Sequence, residues 1–300
     1  MTTVYRNFFA MGTRFDLVLP GIEEQKGDYI CSLVTKEVNR IQELLSNYNE
    51  SSVLTQLNKS AFHSPFHADD ELFELICRLK KLHVSSLGFF DITLGNYKDY
   101  GDGTLKSEPK VNKLSLGLDD LITVPGENSV RFARQEISID SGGFGKGFAL
   151  EKVKKILMDY DILQAFLSFG ESSLMALGDH PFGEGWKIGI PDIYSSESVY
   201  VFHLKNSALS VSGNTLSNRN KYPRGHIINP LTGEREIKTG IVCVSGPSPF
   251  EVEILSTALF ISGENQEKQI LGNFPGCKAV RISYSADNNA PYINEIDPKH

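Results

Sequence analysis

Along residues 8–19, FFAMGTRFDLVL, apolar and polar positions alternate, and that period of two predicts a first strand with Phe15, Leu17 and Leu19 on one face. Then the period lengthens. Ile30, Val34, Val38, Ile41, Leu44 and Leu45 recur three and four apart and predict a helix over 28–46. Leu72, Phe73, Leu75, Ile76, Leu79 and Leu82 predict a second over about 70–85, and the stretch between the two, SNYNESSVLTQLNKS, is too polar for a core. Residues 95–128, rich in Gly, Asp, Lys and Pro, read as an excursion, because apolar strands resume on both sides. SVRFARQEISID predicts a strand that runs into IDSGGFGKGFALEKV, after which Phe148, Leu150, Val153, Ile156 and Leu157 mark a third helix. Further strands are predicted at 164–176, 186–190, 198–204, 207–211, 239–244 and 278–284, interrupted by a helix over 250–262. Strands in runs separated by a few long helices predict an α+β fold, in one unit spanning 1–300, rather than a doubly wound sheet.

Composition narrows the partners. The chain has 30 basic and 37 acidic residues, a net charge of −7, which disfavours nucleic acid and anionic membranes where no basic patch overrides it; none is seen. No segment reaches the roughly 18 consecutive apolar residues of a membrane span. Cys31, Cys77, Cys243 and Cys277 lie far apart, with no C-x-x-C pair to suggest zinc or redox work. The first residues, MTTVYRNFFAMGTRFDLVLPG, carry no basic start followed by an apolar run, so the expected location is cytoplasmic. The alternative is a periplasmic or membrane-anchored lipoprotein shown without its leader.

Five stretches hold candidate chemistry. In the first, Asp140 is followed by Gly142, Gly143, Gly145, Lys146 and Gly147 and then a helix; bare amides at a helix start suit an anion, although a plain strand-to-helix turn also explains glycines. The spacing matches neither G-x-x-x-x-G-K-[ST] nor G-x-G-x-x-G. In RGHIINPLTGE, His226 is either a general base or an ordinary surface histidine. Glu253 and Thr257 in PFEVEILSTALFISG stand four apart on one helix face, where a carboxylate and a hydroxyl suit a hard cation, or simply water. LGFFDITLG sets Asp91 behind Phe89 and Phe90, and SNYNESS offers Tyr48; such rings stack on a flat heterocycle or belong to the core.

In chain order, MGT, SNYNESSVLTQLN, GFFDIT, IDSGGFGKGFALEKV, FLSFGESSLMALG, GWKIGIPD, ALSVSG, HIINPLTG and VEILSTALFISG resemble the motifs of the ApbE family of flavin transferases, over about residues 8–263. The resemblance implies one T-fold-like α+β domain that binds FAD and Mg²⁺. It implies transfer of the FMN half to a threonine or serine hydroxyl of a target flavoprotein, with release of AMP. Alternatives are an FAD diphosphatase making FMN and AMP, or a flavin-binding protein without chemistry. By the same resemblance Met11, Tyr48, Phe89, Phe90, Asp91, Asp140, Lys146 and the backbone near Ile227 contact FAD. Gly143, through its carbonyl, Glu253 and Thr257 hold the metal, and His226 takes the proton. Four positions depart from the family pattern: Glu253, Glu171 and Glu151 stand where Asp is usual, and Asn229 replaces the Asp of HIIDP.

Overall fold

The structure, a computed structural model, describes residues 2–96, 117–195, 197–214, 227–285 and 289–297. The chain opens with a hairpin where the alternation had predicted one strand: β1 (Thr3–Ala10) and β2 (Thr13–Pro20) pair antiparallel around Met11 and Gly12. Both turn residues have positive φ, 48° and 76°, as a two-residue turn between twisted strands requires. Glycine adopts that conformation freely; methionine needs a reason. The Met11 backbone N–H donates to Oε1 of Gln42, which projects from α1 (Glu24–Leu45) and holds the turn in place.

The polar stretch after α1 contains a helix of its own, α2 (Val53–Ser60), started by Ser52, whose Oγ accepts from Thr55 N at 3.0 Å. Its polar residues form the outer side while Leu54 and Leu57 are buried, so the expectation of no core contribution there is corrected. Then come β3 (Phe66–His67), α3 (Asp70–Ser85), β4 (Leu121–Val124) and β5 (Ser129–Phe132). β4 lies within the predicted excursion, of which 97–116 fall outside the described residues.

The strand expected over 129–140 ends at Phe132. Residues 138–140 instead run beside 92–95, with Ser138 N donating to Thr93 O, Asp140 N to Ile92 O and Gly95 N to Ser138 O. This pairing brings the Phe-Phe-Asp segment next to the glycine stretch. There follow α4 (Gly145–Asp159), β6 (Ala165–Phe169), β7 (Ser173–Leu177), β8 (Trp186–Pro191), β9 (Ser198–Leu204), β10 (Ser207–Asn214), β11 (Gly240–Gly246), α5 (Pro249–Ser262), α6 (Glu264–Gly272), β12 (Lys278–Tyr284) and β13 (Pro291–Ile296). The single strand predicted at 164–176 is split into β6 and β7 by Gly170 and Glu171, both at positive φ.

Eight strands form one sheet, β1-β2-β6-β7-β10-β11-β12-β13, every neighbour antiparallel, and β3-β5-β4 form a smaller one. Helices α1, α4 and α5 close one face of the large sheet over the main core. The β8–β9 hairpin closes part of the other, where Trp186 stacks on Phe166. Helices packed on an antiparallel sheet are the α+β arrangement that the pattern predicts. Helix α5 is buried nearly all round, between sheet and helices, which explains how a charged Glu253 ends up only 4% exposed. No helix among the described residues is long and apolar enough to cross a membrane.

Candidate functional site

A cavity of about 240 Å³ lies where the start of α4, the inner side of α5, strands β7 and β10 and the 89–94 segment meet. Its wall includes Phe89, Phe90, Asp91, Asp140, Gly143, Lys146, Ile227, Glu253 and Thr257. Nine of the residues singled out in the sequence thus share one space. Met11 and Tyr48 are not on this wall. Met11 sits beside it, its Cε reaching the start of α4 at Gly145, while Tyr48 stands in the loop after α1 as a residue 99% exposed. His226 lies outside the described residues.

The glycines are first of all a matter of fit. A Cβ on Gly143 would stand 3.1 Å from the Phe90 ring, and one on Gly147 would stand 2.5 Å from the Pro249 carbonyl oxygen and 2.8 Å from Glu253 Oε2. Gly147 therefore permits α4 and α5 to touch. Its bare N–H donates to Glu253 Oε2, so a carboxylate from α5 satisfies one of the donors that a helix start leaves open. The N-cap residue of α4, Phe144, has no side-chain cap to offer. A negative group there is also favoured by the helix dipole.

Lys146, one residue earlier, donates to the other oxygen, Glu253 Oε1, at 2.5 Å, and Ser173 Oγ approaches the same oxygen at 3.3 Å. The pair is buried on the acid side and open on the basic side, with side chains 5% and 22% exposed. One turn on, Thr257 Oγ1 and Ser256 Oγ donate to the Glu253 carbonyl, and Ser212 Oγ lies 2.8 Å from Ser256 Oγ and 3.2 Å from Thr257 Oγ1. Ser210 Oγ, 3.0 Å from Ser256 Oγ, completes a row of hydroxyls along the cavity floor.

Across the cavity, Asp91 Oδ1 accepts from Thr93 N at 2.8 Å and Thr93 Oγ1 at 2.6 Å, which pins the turn after the two phenylalanines. Phe89 and Phe90 belong to the main core and to the cavity wall at once, so both sequence readings of them apply. Asp140 Oδ2 accepts from Gly142 N at 3.1 Å. Asn229 Oδ1 accepts from Leu231 N at 3.0 Å, a turn contact an aspartate in its place makes equally well.

Ser172, Ser173, Ser210 and Ser212 line the cavity but were not singled out in advance. The signal was serine at alternate positions of an otherwise apolar strand, ALSVSG. No group of three or more His, Cys, Asp and Glu that suits a metal occurs among the described residues. A cation at the Glu253 end of the cavity depends on hydroxyls and carbonyls beside that carboxylate. Thiol chemistry is disfavoured at Cys243 and Cys277, which burial pushes up to about 12.

The model of the ApbE family matches residues 11–281 of this chain. Among curated relatives, an FAD:protein FMN transferase of Chlamydia muridarum is 28% identical over 204 residues, covering 65% of this chain and 62% of that protein. One from Escherichia coli K12 is 23% identical over 282 residues, covering 87% of this chain and 79% of its own length. Among solved structures, the flavin transferase ApbE from Vibrio cholerae superposes with a TM-score of 0.82 at 20% identity, covering 99% of this chain and 98% of that one. The Thermotoga maritima ApbE protein gives 0.81 at 21% identity, covering 98% and 97%. At these identities the superpositions speak for the fold.

Proposed function

The chain belongs to the ApbE family, and from that premise we propose that it is an FAD:protein FMN transferase that moves FMN from FAD onto a threonine or serine hydroxyl of a flavoprotein, with Mg²⁺ at the site. The hydroxyl oxygen attacks the phosphorus of the FMN half, the bond from that phosphorus to the bridging oxygen breaks, and AMP departs with that oxygen. His226 takes the hydroxyl proton, a step typically worth about 10²- to 10⁴-fold in rate.

What supports this reading most is the meeting of Lys146, Glu253 and Thr257 in one cavity beside Phe89 and Phe90. Lys146 receives the diphosphate as a point charge, since the N–H groups of Gly142, Gly145 and Gly147, expected to lie bare, already donate to Asp140, to the Ser141 carbonyl and to Glu253. Phe89 and Phe90 offer apolar wall to an aromatic ring, and Asp91, Asp140 and the backbone at Ile227 offer polar contacts at its edges. Tyr48 presents an uncovered face for stacking, and Met11 lies beside the start of α4.

The donors fit a hard cation, because every candidate ligand is an oxygen: the buried Glu253 carboxylate, the Thr257 hydroxyl four residues on, and the Gly143 carbonyl. When bound, the ion would supply charge neutralisation to the diphosphate and the departing AMP. The lengthened acid side chain at 253 is no obstacle to a place in the site, since its oxygens reach the first turn of α4.

The test is to incubate the purified chain with FAD and Mg²⁺, with and without a flavoprotein acceptor domain bearing a threonine target, measuring AMP and covalently bound flavin fluorescence. AMP and protein-bound flavin are expected together and only with acceptor. Acceptor-independent AMP would make it a diphosphatase, and FAD binding with no AMP a flavin carrier. His226→Ala is expected to slow transfer at least a hundredfold; an unchanged rate removes His226 as the base.

A further inference from the structure

We propose that Lys146 changes partners as the site fills. In the substrate-free protein it neutralises Glu253, and it passes to the FAD diphosphate only when a divalent cation takes over the carboxylate, so that cation and FAD each tighten the binding of the other. The inference rests on the reading above, that FAD and a cation share this cavity.

Three observations carry it. Glu253 is buried, and a buried carboxylate stripped of its counter-charge is strongly unfavourable. Among the described residues, Lys146 is the cation paired with it, at 2.5 Å. Lys146 is also the mobile half of the pair: its side chain is 22% exposed, lines the cavity and ends in a point charge on a flexible stem, held by one contact. In this state the cavity presents the diphosphate with a charge already spent.

Lys146 cannot turn to a phosphate without leaving Glu253 bare, which opposes FAD binding in the absence of metal. A divalent ion on Glu253 removes that opposition and repels the ammonium toward the cavity. Glu253 keeps its Gly147 N–H and its neighbour Ser173 whichever cation it faces, so the floor stays built while Lys146 moves. Such coupling is reciprocal by thermodynamic necessity.

The experiment is calorimetric titration of the full chain with FAD, in EDTA and in MgCl₂, for wild type, Glu253→Gln and Lys146→Met, with thermal melting to confirm that each variant is folded. Wild type is expected to bind FAD at least tenfold more tightly in magnesium. Glu253→Gln keeps an acceptor for Gly147 N–H but needs no counter-charge, so Lys146 is free from the start. In EDTA it is expected to bind FAD about tenfold more tightly than wild type, about 1.4 kcal/mol, with magnesium adding less than twofold. Lys146→Met is expected to lose about tenfold in magnesium and less than twofold in EDTA. Two results overturn the exchange: Glu253→Gln binding no tighter than wild type in EDTA, or Lys146→Met losing equally in both buffers. The lysine result decides alone if Glu253→Gln does not fold. Absence of FAD binding by wild type in either buffer overturns the underlying functional reading and the exchange with it.

Discussion

Lys146 and Glu151 both sit on α4, and each is paired with an opposite charge from another helix: Lys146 with Glu253 of α5 at 2.5 Å, Glu151 with Arg78 of α3 at 2.6 and 3.0 Å. The outer pair is two-pronged. Arg78 spans both oxygens of Glu151 and lies 4.5 Å over the Phe250 ring, and Ser248 adds a hydroxyl at 3.3 Å. Both its side chains are partly exposed, but every contact it makes is to protein, so it works as a strut between α3, α4 and the start of α5. Glu151 serves this strut and is not on the cavity wall. The inner pair has a single ammonium contact and opens on a cavity. Planar two-pronged pairing fixes geometry, whereas a lysine on one oxygen can be exchanged, and that separates a fastening from a working part.

The contrast can be broken most strongly at Gly147. Gly147→Ala puts a methyl against the Pro249 carbonyl, which as backbone has little room to yield, so α4 and α5 must part. Overpacking of this kind is expected to cost about 2–3 kcal/mol in urea unfolding and to weaken FAD binding more than tenfold by separating Lys146 from Glu253. A loss under about 0.5 kcal/mol would mean the helices give way freely, well below the usual range for overpacking.

Arg78→Ala sharpens the comparison from the other side. It removes the strut and the ring contact, both partly exposed, and is expected to cost about 1 kcal/mol while leaving FAD affinity within twofold. A tenfold loss of affinity would show that the outer pair also serves the cavity.

The smallest effect belongs to Glu71, whose carboxyl is held at about 2, first by Arg40 and then by Lys152. Because that value lies below the ordinary 4.5, its contribution is complete above the ordinary value and fades as pH falls toward 2. Glu71→Gln is therefore expected to cost under about 1 kcal/mol at pH 7, with the gap to wild type closing between pH 4.5 and 2 in urea titrations. A gap that stays constant would assign the loss to packing.

Much of this was readable beforehand where burial is one-sided. The α3 helix and strands β9 and β12 lie where the pattern predicts them; α3 and β9 each present an apolar stripe to one core, and β12 is apolar on both faces because it lies between two. The first hairpin was not, since its turn is Met-Gly and methionine at positive φ is no turn signal; the tether from Gln42 is invisible without the fold. Helix α2 was hidden by its polar outer side, and β13 by being an edge strand whose residues are mostly exposed. In the site, Glu253 and Thr257 were legible as an i,i+4 pair. The serine row was not: a serine in a strand reads as solvent-facing until the helix covering it, here α5, is known. Nor could spacing foretell that Glu253 turns toward Lys146, a partner 107 residues away.

That separation has a consequence for the ribosome. The cavity's walls come from residues near 90, 140, 172, 210 and 227, but its floor arrives only with 253–261. Until those residues have been synthesised and have cleared the exit tunnel, α4 lacks its cap and the strands lack their cover. On the proposed function, capture of FAD thereby waits until residue 261 has emerged, and a product broken off earlier lacks the floor that would hold it.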